Sequence, residues 1–354
     1  FFSYKIIKQF TNSVPYSLIG SIFFLIAPAL IYRIQIGHQA VLGQWLLLFT
    51  LYLSLTREIN ESKVLWFVLI IISSLVHYQI LLMILFVYAF LRLFNLKFNK
   101  DSFYQLIKDF FTITPLLLLT LYIVGYFEIR IVDTLALGFG DHKLNILSIL
   151  DPAIKSENIN FSLFLPDIYL SLQEEAEGFN YLGLGQILMV LFALAVFLIK
   201  QNDSNILSIK KNNQIKYLII ISILLTFWAL SNKISFGSYT LIDIPVHKYL
   251  YGMLSMFKNT GRMFWIVNYF IIILSIIVIF KCFKEKNSIA IITIFLLIQV
   301  TDISAGFKNY FNPFRNTEKN NLLKDHIWDD LFDEYKVLKT TYPKAYSDFF
   351  IKFS

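Results

Sequence analysis

Apolar residues occur in long runs that are separated by short polar connections over most of the chain. A membrane-spanning helix needs about 20 predominantly apolar residues, within a range of about 17–25. Nine runs reach or approach this length: 16–36, 40–55, 64–76, 79–94, 110–127, 181–199, 217–231, 263–283 and 288–301. We therefore predict an all-α, polytopic transmembrane helix bundle, in which the shorter segments lie obliquely, span only in part or form a re-entrant pair.

The composition excludes an ordinary soluble, disordered or fibrous protein. Apolar residues make up 57% of the chain and charged residues 16%, whereas soluble domains have about 45–50% and about 25%. The single cysteine, Cys282, excludes a disulfide framework and a cysteine-based zinc site. The net charge of +7 is interpreted as lysines that anchor cytoplasmic loops. We expect membrane lipids around the protein and no nucleic-acid partner.

The basic residues indicate how the segments are oriented. Fifteen Lys and Arg residues fall in one alternating set of connections, which are short, and eight fall in the other set. The positive-inside rule places the richer set in the cytoplasm. Loops 128–180 and 232–262 then lie outside the cytoplasm. The predicted organisation is a transmembrane domain over 1–301 and the start of a small, soluble extracytoplasmic C-terminal segment over 302–354.

Polar residues that fall within or beside the apolar runs gather on this predicted outer side, and they mark a candidate site because buried polar groups are costly in a membrane. They are His38, His77, Glu177, Arg262 and Asp302. Arg262 directly precedes a strong membrane segment, where a positive charge opposes the helix dipole unless an anion lies nearby. Guanidinium groups suit phosphate, so Arg262 is the best candidate for binding a lipid-linked phosphate. The alternative is contact with phospholipid head groups.

The other candidates have structural alternatives as well. His38 lies close to an interfacial tryptophan, and His77 is in a position to bond a neighbouring helix. Glu177 precedes a helix amino terminus, where an acidic group is favoured electrostatically. Asp302 is either a helix-end anchor or a cavity residue. No spacing is typical of a zinc site, a P-loop, a dinucleotide loop or a nucleophile elbow.

Five stretches in a fixed order carry a resemblance to a known family: GHQA at 37–40 with QW at 44–45, HY at 77–78, EGFNYLGLG at 177–185, NTGRMFW at 259–265 and QVTDIS at 299–304. The chain resembles an uncharacterised bacterial multi-pass membrane family, domain of unknown function 6311. That family is similar to the GT-C glycosyltransferases, which use polyprenyl-phosphate sugars outside the cytoplasmic membrane.

The resemblance implies a sugar transfer from a polyprenyl-phosphate donor to a glycan or protein acceptor, on the outer face of the bacterial cytoplasmic membrane. GT-C enzymes place their main acidic residue in the first extracytoplasmic loop, as a base or as a ligand of a divalent metal such as Mg²⁺ or Mn²⁺. We expect that residue upstream of Phe1, so the principal catalytic group is unknown. Arg262, His38, His77, Glu177 and Asp302 are then expected on the lipid-phosphate side of the site.

Two other functions stay open from the sequence. A transporter or flippase of lipid-linked glycans shares the membrane location, although no internal repeat is visible. A polymerase or ligase of surface polysaccharide uses related lipid-diphosphate chemistry. It would need paired arginines in the large loop, and loop 128–180 has a single arginine, Arg130. The acidic and aromatic character of that loop favours a carbohydrate groove and therefore the transferase.

Overall fold

The computed structural model describes residues 1–95, 100–128, 139–155, 158–168, 170, 176–247, 249–250, 254, 257 and 259–308. The chain divides into two units, Phe1–Lys308 and Asn309–Ser354. The predicted C-terminal segment therefore lies almost entirely outside the described residues, as do several parts of loop 128–180.

The described part of the chain is predominantly helical, as the sequence predicts. Its main helices are α1 (Phe2–Thr11), α2 (Val14–Leu25), α3 (Pro28–Gln35), α4 (Trp45–Thr56), α5 (Lys63–Val76), α6 (Tyr78–Phe94), α7 (Lys100–Ile123), α8 (Leu184–Ile199), α9 (Ser204–Lys211), α10 (Asn213–Leu230), α11 (Trp265–Cys282) and α12 (Glu285–Asp302). Each of the nine predicted apolar runs coincides with helix, because a membrane-length apolar run satisfies its backbone only as a helix. The short helices α1 and α9 were not predicted.

Helix α11 lies at the centre of the bundle. It contacts six other helices: α1, α4, α8, α9, α10 and α12. Of the residues Thr260–Cys282, 83% are buried inside the protein. A helix that is apolar on all sides packs in the interior of a bundle, and the composition of α11 follows this pattern. The residues just before α11 are thereby held against the rest of the fold.

Within the residues that the structure describes, four helical stretches are long and apolar enough to cross a membrane: Gln39–Thr56, Phe103–Ile123, Asn213–Leu230 and Thr260–Cys282. The number rises to six if each of two bent pairs counts as one span. Helices α2 and α3 form one of these pairs, with a bend of 45°. The bend follows from Pro28, which lacks an amide donor and disfavours helical backbone at the preceding residue. A helical membrane protein is therefore supported, but the expected nine spans are not confirmed.

In the described parts of the connections, two short hairpins lie between the helices. Strands β1 (Ala153–Ile154) and β2 (Ile159–Asn160) pair antiparallel, as do β3 (Lys233–Phe236) and β4 (Tyr239–Asp243). The side chain of Asn145 donates to the carbonyl of Gly237 at 2.8 Å and accepts from its amide at 3.0 Å. This two-way contact ties the segment before α8 to the β3–β4 turn.

Helix α7 begins at Lys100, ten residues before the predicted run 110–127, because its first part is amphipathic rather than continuously apolar. Within Phe103–Ile123, only Asp109 and Ile113 are buried by the protein. A buried carboxylate, Asp109, holds this helix to its neighbours: the Nη2 of Arg92 lies 2.5 Å from Asp109 Oδ2, and Lys63 pairs with Oδ1. The hydroxyl of Tyr88 also donates to Oδ2, at 3.1 Å. We call these four residues the Asp109 cluster.

We predict that Asp109→Asn lowers the free energy of unfolding by about 3–5 kcal/mol, because the buried Arg92 then lacks its counter-ion. Thermal unfolding of the purified protein in detergent checks this. Glu61→Gln, which removes an exposed acid near the start of α5, serves as the control and is expected to leave the midpoint unchanged. Equal midpoints for Asp109→Asn and the wild type would show that Asp109 does not hold α7.

Candidate functional site

Two arginines and one glutamate form the most charged buried group that the described residues bring to the predicted site. Arg33 and Arg262 are 1% and 4% exposed, and the side chain of Glu177 is 16% exposed. We call them the Arg33–Glu177–Arg262 cluster. Glu177 and Arg262 were predicted as site residues, whereas Arg33 was only one of the eight basic residues counted on the predicted outer side.

Separate elements of the fold carry these side chains. Arg33 lies in the last turn of α3, and Arg262 lies in a short 3₁₀ turn, Thr260–Phe264, that leads into α11. Glu177 belongs to the segment that precedes α8. Gln79 in the first turn of α6 completes the group. Helix α3 begins at the Pro28 bend, and His77 separates the end of α5 from the start of α6. Arg33 and Gln79 follow these two breaks in the chain.

A single carboxylate oxygen, Glu177 Oε2, contacts both arginines. It lies 3.2 Å from Arg33 Nη2, 2.7 Å from Arg262 Nε and 2.5 Å from Arg262 Nη2. Arg33 Nη2 also donates to the carbonyl of Ala176 at 2.9 Å, and Arg262 Nη1 donates to Gln79 Oε1 at 2.7 Å. Two positive charges thus share one negative charge in a buried setting.

An aromatic floor supports both guanidinium groups. The centre of the Trp265 ring lies 5.6 Å from the guanidinium carbon of Arg33 and 5.9 Å from that of Arg262. The ring of Tyr32 lies 4.9 Å from Arg33. Cations within about 6 Å of an aromatic ring centre are attracted by the ring quadrupole. Trp265 therefore stabilises the close approach of two like charges.

Both predicted histidines lie beside the cluster. Arg33 Nη1 lies 3.3 Å from Nδ1 of His38, and the backbone amide of Gln79 donates to Nδ1 of His77 at 3.2 Å. Arginine and the amide only donate, so each Nδ1 accepts and each neutral ring carries its proton on Nε2. Burial, followed by the charge of Arg262, lowers the pKa of His77 to about 4. The site therefore holds two imidazole N–H donors in addition to its two guanidinium groups.

Glu177 is ionised because of its neighbours. Burial by itself raises the pKa of this carboxyl, but the charges of Arg33 and Arg262 outweigh burial, and the net effect is a pKa below its ordinary value. An opposite charge within about 4–6 Å favours the charged form of a carboxyl in this way. At neutral pH, the cluster consequently carries two positive charges and one negative charge.

Close backbone contacts fix the turn that carries Arg262. A side-chain carbon on Gly261 would lie 2.7 Å from the Cα of Gly178 and 3.0 Å from the carbonyl carbon of Lys143. The side-chain amide of Asn180 donates to the carbonyls of Gly178 and Gly261 at 2.9 and 3.1 Å. These contacts join the EGFN stretch at 177–180 to the GR dipeptide at 261–262. They give a physical reason for both stretches in the resemblance.

Asp302 contacts a different set of residues. Its Oδ2 accepts from the Tyr181 hydroxyl at 2.6 Å and from the Leu184 amide at 2.9 Å, and its Oδ1 accepts from Ser162. Asp302 is fully buried. The geometry supports the anchoring alternative stated for this residue, because its partners join α12 to the start of α8. None of these bonds involves a residue of the Arg33–Glu177–Arg262 cluster.

Sequence reasoning missed Arg33 and Gln79. A signal for Arg33 was present, since it is the only charged residue of the predicted segment 16–36, and a charge within a membrane segment is a site hypothesis by default. Gln79 gave no comparable signal, because a neutral amide near a helix start is common. Its role depends on the tertiary contact with Arg262.

The cluster does not fit a divalent cation. In the described residues, no group of three or more His, Cys, Asp or Glu side chains is arranged to hold a metal ion. Glu177 is neutralised by two guanidinium groups, which would repel a cation. These residues therefore provide no set of ligands for the expected Mg²⁺ or Mn²⁺ ion.

Comparison with known proteins identifies a family for this chain. Residues 1–304 match the family described as "Domain of unknown function (DUF6311)". No curated protein and no solved structure matches the chain. The match includes all five stretches on which the resemblance was based.

We predict that Gly261→Ala destabilises the protein by about 1–3 kcal/mol, the usual cost of overpacking, because the new methyl group meets the backbone of Gly178. Thermal unfolding in detergent measures this. Gly37→Asn is the control: a side-chain carbon built at Gly37 meets no atom beyond its chain neighbours within 4 Å, and asparagine tolerates the positive φ of this residue. A Gly261→Ala midpoint equal to that of the control would contradict the close packing.

The low pKa of Glu177 predicts a pH-dependent effect of Glu177→Gln. A carboxyl with a depressed folded-state pKa contributes stability above its unfolded pKa, which is about 4.3, and loses it as the pH falls through the folded value. The variant is therefore expected to be less stable than the wild type at pH 7, and the difference is expected to shrink below about pH 4.

Unfolding midpoints of both proteins at pH 7, 5 and 3 measure this difference. Glu58→Gln, at an exposed position, controls for the general effect of acid. A difference between wild type and Glu177→Gln that stays constant over this range would contradict the ionised state of Glu177.

Proposed function

The chain belongs to the DUF6311 family, and we propose that it is a membrane glycosyltransferase that transfers a sugar from a polyprenyl-phosphate donor to a glycan or protein acceptor. The observation that carries this proposal is the Arg33–Glu177–Arg262 cluster, in which one carboxylate compensates two buried guanidinium groups. An anionic group of the donor supplies the second negative charge.

The energetic argument concerns the uncompensated charge. A buried charge without a partner costs several kcal/mol, and the cost is recovered when a counter-ion binds with good geometry. Arginine forms bidentate hydrogen bonds with phosphate oxygens. Because Arg33 and Arg262 are both directed by Glu177, their remaining N–H groups are preorganised for such a ligand.

Each residue then has a role in the proposed reaction. In sugar transfer, the bond between the sugar C1 and a phosphate oxygen breaks, and the electron pair stays on the phosphate. Arg33 and Arg262 bind that phosphate and stabilise the charge that develops on it as it leaves. His38 and His77 add N–H donors, and Glu177 positions the two arginines. The acceptor hydroxyl bonds to C1 and gives up its proton to a base that we do not assign.

The proposal includes the place of the site. We infer a bacterial cytoplasmic membrane and a GT-C-like arrangement, with the cluster on the extracytoplasmic face. The support is the excess of Lys and Arg in the opposite set of connections. Lys63 and Arg92 of the Asp109 cluster belong to that opposite set, and they lie at the other ends of α5 and α6 from His77 and Gln79.

We predict that Arg262→Gln weakens binding of a short-chain polyprenyl phosphate by about 10- to 100-fold, because a hydrogen bond to a charged group contributes about 1.5–3 kcal/mol. Binding to the purified protein measures this. Arg57→Gln is the matched control, since it removes the same charge at an exposed position. Equal affinity in wild type and Arg262→Gln would refute the phosphate role of Arg262.

A second measurement tests the transfer itself. In cells that express the protein and take up a labelled sugar, Arg262→Gln is expected to abolish transfer of that sugar to surface glycans or proteins while the protein level stays unchanged. Movement of the intact lipid-linked sugar across vesicles, with no sugar transferred, would favour the flippase alternative.

A further inference from the structure

A small cavity lies within the helix bundle, beneath the floor of the charged cluster. It is lined by residues of α3, α8 and α11, together with Gln44 immediately before α4. Its volume is about 10 Å³. Measured in the same way, a cavity needs about 10–15 Å³ to hold one water molecule. The space is therefore close to the size of one water molecule.

Four buried polar side chains of the lining each have one atom without a hydrogen-bond partner in the structure. The atoms are Gln44 Nε2, Gln186 Oε1, Trp265 Nε1 and Asn268 Oδ1. These residues are between 1% and 6% exposed, so bulk water does not satisfy them. An unsatisfied buried polar group costs about 1–3 kcal/mol, and four such groups around one cavity indicate a shared ligand.

The hydrogen-bond network fixes the two acceptors. Asn268 donates through Nδ2 to Asn180 Oδ1 at 3.0 Å, so its own Oδ1 is directed elsewhere. The Nδ2 of Asn180 in turn donates to two backbone carbonyls. Because these carbonyls only accept, the side-chain amides of Asn180 and Asn268 cannot both be flipped. Gln186 likewise donates through Nε2 to the carbonyl of Phe23 at 3.1 Å. Both oxygens therefore remain acceptors.

The other two atoms are donors. The indole nitrogen of Trp265 carries a hydrogen and cannot accept. Gln44 accepts a hydrogen bond from Tyr269 through Oε1, which leaves its Nε2 as a donor. The cavity thus presents two donors and two acceptors.

This set selects the ligand. A metal cation requires oxygen ligands and would meet two N–H groups, whereas an anion would meet two carbonyl oxygens. A water molecule accepts two hydrogen bonds and donates two, and it fits the volume. We propose that one water molecule is bound here as a constituent of the fold, accepting from Gln44 and Trp265 and donating to Gln186 and Asn268.

The bound water positions the floor of the charged cluster. The ring of Trp265 lies close to both guanidinium groups, and the water accepts from its indole nitrogen. Asn268 joins the same water to Asn180, which contacts the carbonyl of Gly261. The water is therefore the inner end of a hydrogen-bond chain that begins next to Arg262.

Radiolytic footprinting tests the proposal, because hydroxyl radicals produced from a bound water modify the side chains around it. The chain contains its own comparator. Trp66 is as deeply buried as Trp265 and its Nε1 also has no partner, but it does not line the cavity. We expect Trp265 to be modified several-fold faster than Trp66 in the purified wild-type protein. Equally slow modification of both tryptophans would overturn the proposal.

Two further arms identify the ligand. Gln186→Leu removes one acceptor and fills the space, so the rate at Trp265 is expected to fall to that of Trp66. An unchanged rate at Trp265 in the folded variant would contradict the assigned position. Replacing sodium by choline in the buffer is expected to change nothing, and a sodium-dependent rate would overturn the water in favour of an ion. If Gln186→Leu fails to fold, the wild-type comparison decides by itself.

Discussion

Two buried guanidinium groups that share one carboxylate oxygen place the strongest constraint on this fold. Like charges at such short range repel in a medium of low polarity, so the arrangement requires support from every side. Glu177 supplies the opposite charge, Trp265 an aromatic face and Gln79 a carbonyl oxygen. The breaks at Pro28 and His77 and the contact between Gly178 and Gly261 all serve this end of the bundle. Contacts from several separate elements thus converge on one electrostatic requirement.

The Asp109 cluster has the same charges but a different environment. It also combines two cations with one carboxylate, yet the side chain of Lys63 is 30% exposed, so solvent compensates the second positive charge. Arg33 and Arg262 have no such access. The comparison shows that charge count alone does not indicate a ligand. Burial of both cations distinguishes the candidate site from a structural ion-pair group.

Much of the secondary structure and part of the site could be predicted from the sequence, for definite physical reasons. Long apolar runs are helical because a membrane offers the backbone no other partners, and Pro28 bends its helix for local steric reasons. Arg262 and Glu177 were predicted because charge beside an apolar run is costly. Arg33 could have been found as the one charged residue of segment 16–36. Gln79 and the pairing of Asp109 with Lys63 and Arg92 required tertiary structure, since their partners are distant in the chain. The early start of α7 was missed because its first turns are amphipathic.

The bend at Pro28 couples the evolution of two residues, Pro28 and Gln186. At this bend the carbonyl of Phe23 accepts a hydrogen bond from Nε2 of Gln186 on α8. The same contact leaves Oε1 of Gln186 for the small cavity. A straight α2–α3 helix would compete for the carbonyl and leave Gln186 free to turn. The proline and the glutamine are therefore expected to be inherited together, so that loss of one relaxes selection on the other.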